Sequence, residues 1–119
     1  MTPDELKARS KRFALAIIAK TQKLSHTLVA QVISRQLVSA ATSTAANYRA
    51  ACRGKSKADV IAKLALVEEE ADESLYWLDL LAESGIITQE KLSSLAKETE
   101  EILAMTVASI KTLRRPART

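Results

Sequence analysis

Between Pro3 and Pro116 only two residues, Gly54 and Gly85, interrupt a backbone that otherwise carries almost no turn chemistry. Aromatic residues make up 3% of the chain, and β-branched ones occur mostly singly among Ala, Leu, Lys and Glu. That mixture favours long helices over strands. The two glycines, with a polar break near Ser25 to Thr27, divide the chain into four segments of similar length. The expectation is an all-α, antiparallel up-down-up-down four-helix bundle. With 119 residues, 47% of them hydrophobic, there is material for one core and no room for a second. The bundle domain should span residues 1–113. A basic, mobile tail should follow over 114–119, since Pro116 cannot continue a helix.

Local signals mark the helix ends. Thr2-Pro3-Asp4-Glu5 offers a hydroxyl cap, proline at the first helical position and a glutamate three residues after the cap. The first helix should run to about Leu24, with Leu6, Phe13, Ile17 and Leu24 inward. The second should run to about Arg53, with Val29, Ile33, Leu37, Ala40, Tyr48 and Ala51 on one side, and Gly54 stopping it. Its small residues from Ser39 to Ala46 suit close approach of a neighbouring helix. Ser56 caps the third helix, which extends to Ser84 before Gly85 ends it in a left-handed position. Thr88 caps the fourth, which runs to about Leu113. Leu92, Leu95, Ile102, Ile110 and Leu113 point inward there, with Thr99, Thr106 and Ser109 as small polar fillers.

Charge is segmented. Residues 1–57 hold eleven Lys and Arg against two acids (+9), residues 58–101 hold three against twelve (−9), and residues 102–119 hold four against none (+4). Either basic early helices lie against an acidic third helix within one molecule, or opposite faces meet between subunits, or the basic surface meets an anionic polymer. The single cysteine, Cys52, excludes an intramolecular disulfide. No N-terminal apolar segment resembles a secretion signal, so a reducing, cytoplasmic setting is expected. The apolar run from Phe13 to Ala19 is far shorter than the roughly 20 residues of a bilayer span. No membrane role is expected.

Catalytic and metal chemistry find little support. A carboxylate-bridged metal pair needs two Glu-x-x-His motifs, and the chain has one histidine, His26. Glu70 and Glu73 should lie on a solvated face. His26 and Cys52 stand about 39 Å apart along a continuous helix, which leaves Cys52 without a base and suggests a small buried or half-buried thiol. Phosphate loops, Ser-His-Asp sets and Cys/His clusters are missing. The expectation is a protein without a cofactor or a metal that acts by binding.

Two binding features remain. In the second helix Arg35, Arg49 and Arg53 fall on the side opposite the apolar stripe, at about 160° to 200° from Ile33. With Lys7, Lys11 and Arg12 of the first helix they are the candidate nucleic-acid-binding residues, and Arg114, Arg115 and Arg118 are possible support. Arginine's planar fork suits phosphate, and without interleaved aromatics the contact should be to backbone more than to bases. Alternatively Glu69, Glu70, Asp72 and Glu73 neutralise these arginines. In the third helix Leu66, Trp77 and Leu80 lie about 160° to 220° from Leu64, away from the core; either a neighbouring subunit covers them, or the first or fourth helix does so within one molecule.

From about Leu37 to Leu81 the chain resembles a known family. The relevant runs are Ala40-Ala-Thr-Ser-Thr-Ala-Ala-Asn-Tyr-Arg49, Arg53-Gly-Lys-Ser-Lys-Ala-Asp59 and Glu70-Ala-Asp-Glu-Ser-Leu-Tyr-Trp-Leu78. They are similar to bacterial four-helix bundle proteins that include those encoded by intervening sequences in large-subunit rRNA genes and the accessory variability determinant of diversity-generating retroelements. The resemblance implies a homopentameric ring, no enzymatic activity and, for the retroelement member, a reverse transcriptase and RNA or DNA as partners. Asn47, Glu70, Glu73, Tyr76 and Trp77 match its signature positions. Ala50 stands where an acid is expected, which leaves the second helix more basic.

Overall fold

The computed structural model describes residues 2–116 and contains four helices: α1 (Pro3–Gln22), α2 (Leu28–Cys52), α3 (Lys57–Glu83) and α4 (Gln89–Arg114). Their ends follow the caps. The Thr2 hydroxyl accepts from the Glu5 amide at 3.1 Å while the Glu5 carboxylate accepts from the Thr2 amide at 2.9 Å, a reciprocal capping box. Thr27 and Ser56 cap α2 and α3 through the amides of Ala30 and Asp59. Thr88 occupies the cap position of α4, but its side chain makes no capping bond, so that expectation holds for place and not for chemistry. Gly85, at φ +76°, lets the chain leave α3 in the left-handed region that other residues avoid.

Short connections force neighbouring helices antiparallel. Each packs against the next in sequence and α4 returns to α1, while the backbones of the diagonal pairs stay apart. The α1–α4 contact is slight beside the other three. The molecule is about 58 Å long and 21 by 20 Å across, a slender bundle. Its core has two connected parts. Phe13, Ile17, Ile33, Leu37, Leu81 and Ile102 belong to the one near the α1–α2 connection. Leu6, Tyr48, Leu64, Val67 and Ile110 belong to the other. Each fully buried side chain of this size contributes about 1.5 to 3 kcal/mol. Ala40, Ala41 and Thr44 are almost completely buried, so the small-residue stretch of α2 is a packing seam.

Several expectations are corrected. Val29 is 57% exposed and Ala30 is buried in its place. The buried arc of α2 centres about 30° beyond Ile33, which puts Ala30 well inside it and Val29 about 70° away. Cys52 is exposed, because it closes α2 at the end of the bundle. Glu70 is half-buried, not solvated. Trp77 and Leu80 are half-buried and pack against the core near the α1–α2 connection. The buried positions of α3 average about 50° to one side of Leu64, leaving Trp77 only about 90° from their centre. Leu66 alone of the three is exposed, at 40%. α4 extends to Arg114, one residue into the expected tail, and Arg118 lies outside the described residues.

Candidate nucleic-acid interface

Helical spacing assembles a basic groove between α1 and α2. Lys7 and Lys11 lie one turn apart on the α2-facing flank of α1, and Arg49 and Arg53 lie one turn apart on α2. Ala8, Ala45 and Ala46 are too small to fill the space between the helices. The result is a groove of about 620 Å³ lined by these alanines, the four cations and Asp4. Asp4 offsets part of the charge through a 3.7 Å ion pair with Lys7, which is well exposed and therefore weak. Four formal positive charges face one negative. Among the described residues no ion pair joins Arg35, Arg49 or Arg53 to the acids of α3, so these arginines make no direct pairing with Glu69, Glu70, Asp72 or Glu73.

The other two candidates stand elsewhere. Arg35 is exposed on the same side of α2 as Arg53, 18 residues earlier and therefore about 27 Å along the axis. Arg12 faces α4, where it lines a shallow hollow with Glu98 and Glu101. Its distance around α1 from Lys11 is one residue, or 100°, and that is enough to move it to the next groove. Arg114 and Arg115 are exposed at the end of α4.

The ion pairs that close the bundle lie at the α1–α4 seam, which no sequence motif marks. Arg9 donates through Nε and Nη2 to the two Glu98 carboxylate oxygens at 2.7 and 2.6 Å, and through Nη2 to Glu101 at 3.1 Å. This bidentate fork is the strong form of the interaction. The hydrogen bond from Arg9 holds the Glu98 carboxyl below the usual glutamate range, and the same bond raises the Arg9 pKa. Sequence periodicity places Arg9 on a flank of α1 but cannot say which of the later acids meets it, 89 residues on.

The opposite side of the bundle is acidic. Asp72, Asp79 and Glu100 line a groove between α3 and α4 together with the exposed Tyr76 and one cation, Lys97, and Glu68 and Glu69 line a second one beside it. Glu70 has a raised pKa because of its burial, with Glu73 and Glu69 adding like charge. Trp77 meets Tyr76 edge to face with ring centroids 4.9 Å apart and donates its indole N–H to Glu73 at 3.3 Å. Asn47 donates to the Ser43 carbonyl within α2. Among the described residues no group of His, Cys, Asp and Glu could hold a metal ion. Among the described residues no helix is long and apolar enough to cross a membrane.

Residues 5–108 match the family model of the 23S rRNA-intervening sequence protein. A search of curated proteins finds no match. Among solved structures, the chain is similar to a crystallised protein of unknown function from the S23 ribosomal protein family of Bacteroides thetaiotaomicron. The two share 34% identity and a TM-score of 0.86 over 93% of this chain and 99% of that one. That breadth of agreement in sequence and in helix arrangement places the protein: the chain belongs to the 23S rRNA-intervening sequence protein family.

Proposed function

We propose that the protein is a non-enzymatic, homo-oligomeric helical bundle that binds nucleic acid through the groove between α1 and α2. The observation that carries this reading is the convergence of Lys7, Lys11, Arg49 and Arg53 on one groove with only Asp4 opposed to them. Phosphate is the ligand such a groove fits, and contact to phosphate carries little sequence preference. In an oligomer the groove would repeat around the symmetry axis, so weak contacts would act together. A pentamer is the favoured assembly, with Leu66, Trp77 and Leu80 at the contact. A protein that itself handles nucleic acid, such as a reverse transcriptase, fits as a further partner, and the cytoplasm as the compartment.

A second reading has its own support. The acidic α3–α4 grooves lie on the opposite side of the bundle from the basic one, so the charges could complement each other between subunits of a pure scaffold. Fluorescence anisotropy with mixed-sequence RNA and DNA separates the two. Binding at ~50 mM salt that falls steeply by ~200 mM is expected for phosphate contact. Lys11→Glu with Arg49→Glu should weaken it at least tenfold, whereas Arg12→Ala, on the α4 side, should leave it nearly unchanged. No binding at low salt would leave the scaffold.

A further inference from the structure

The shape of the basic groove says which form of nucleic acid it takes. Packed helix axes lie about 8–10 Å apart, so the cations on the facing flanks of α1 and α2 border one groove, and a single strand laid along it can meet both rows. Its floor is made of Ala8, Ala45 and Ala46, which let a strand sink between the cations. Lys7 and Lys11 stand on one wall, and Arg49 and Arg53 on the other. On each wall the charges are separated by one helical turn, about 6 Å, close to the distance between neighbouring phosphates of an extended strand. Two successive phosphates can therefore each be held from both sides. Beyond this clamp the groove direction continues along α2 on the side where Arg35 stands, about 27 Å from Arg53. A single strand can follow that straight line. The backbone of a duplex winds around its own axis and leaves it.

Building on the nucleic-acid reading of the preceding section, we propose that the α1–α2 groove is a binding channel for a single-stranded polynucleotide, clamped by Lys7, Lys11, Arg49 and Arg53 and touched at its far end by Arg35. At the ~6 Å phosphate spacing of the extended strand that fits the clamp, the span of about 27 Å from Arg53 to Arg35 corresponds to roughly five nucleotides. A dodecamer reaches Arg35 and a tetramer does not. The ligand is the phosphodiester strand, so RNA and DNA are both admitted, and matched RNA and DNA probes of one sequence report whether the 2′-hydroxyl adds anything.

Anisotropy with the full chain tests this, using a labelled single-stranded dodecamer and tetramer, as RNA and as DNA, and a hairpin duplex of the same sequence. The dodecamer should bind at least tenfold tighter than the duplex in one or both chemistries. If five phosphates are contacted, log K should fall with log salt with a slope of about −3.5, the value for single strands. Arg35→Ala should weaken the dodecamer several-fold and leave the tetramer unchanged, and Lys11→Glu with Arg49→Glu should weaken both. Circular dichroism of each variant confirms the fold. Duplex binding equal to or tighter than single-strand binding overturns the channel while keeping the nucleic-acid reading. So does an Arg35 effect that is the same for both lengths or absent. If none of the probes binds at ~50 mM salt, the channel and the nucleic-acid reading fall together.

Discussion

Replacing Arg9 with methionine should loosen the bundle at its weakest seam. Methionine keeps most of the side chain's apolar stem and removes only the guanidinium. Three charge-assisted bonds disappear, two to Glu98 and one to Glu101. The Arg9 and Glu98 side chains are 19% and 27% exposed. The pair therefore lies between a surface bridge worth about 0.2–1 kcal/mol and a buried one whose breakage costs about 3–5 kcal/mol. A loss of about 2 kcal/mol follows, with a fall in Tm of roughly 8 °C for a chain of this size. A double-mutant cycle with Glu98→Gln, read by urea unfolding, should return a coupling of about 1 kcal/mol or more. Coupling within the ~0.5 kcal/mol scatter of independent sites would mean that the seam is closed by something else. The pH dependence has a fixed sign. Glu98 has a lowered folded pKa, so its contribution is present above the ordinary glutamate value of 4.5 and is lost as the pH falls through the folded value. The stability difference between the native chain and Glu98→Gln should therefore shrink in acid.

Glu70 should behave oppositely. Its pKa is raised by burial and then by Glu73 and Glu69, so its charge is unfavourable once the pH exceeds the folded value. Glu70→Gln should stabilise the protein by a few tenths of a kcal/mol at pH 7, and the gain should vanish well below pH 4.5, where the unfolded carboxyl is also protonated. Gly54→Ala should destabilise by about 1–2 kcal/mol, because the new methyl would strike the Val60 side chain and press on the Ala51 carbonyl. Gly85→Ala meets open space and should lose about 1 kcal/mol through its φ of +76° alone. If the two glycine variants respond alike to Val60→Ala, the packing explanation for Gly54 is wrong. Leu66→Glu should reduce the mass seen by light scattering to that of a single chain without lowering thermal stability. Trp77→Glu and Leu80→Glu, which also disturb the core, should do both.

The helix ends were legible because capping residues and glycines act locally. Thr2, Ser56 and Gly85 do their work within a few residues, and the sequence contains everything they need. Periodicity also identified the small-residue seam of α2. It fixes only a direction around one helix axis, however, and says nothing about where the neighbouring helices lie. Arg12 and Lys11 illustrate this limit, since adjacent positions on α1 open into different grooves. Trp77 shows another, because a buried arc wider than the chosen reference line can reach a residue assigned to the outside. The clamp of Arg9 with Glu98 and Glu101 needs the closing of the bundle to exist, and no spacing rule reaches across 89 residues.

Five polar side chains, Ser10, Thr44, Ser74, Thr99 and Thr106, lie in the interior. Each hydroxyl donates to a carbonyl three or four residues back in its own helix. Among the described residues, then, no buried hydrogen bond ties one helix to another. Longitudinal register between helices rests on the sizes of side chains and not on polar pairing. In evolutionary terms the interior helices are coupled by volume alone: a hydroxyl on one can give way to an apolar group of similar size, threonine to valine or serine to alanine, without a new polar partner on its neighbour. The Arg9–Glu98 pair is the exception, and the position where paired substitution between relatives should be sought.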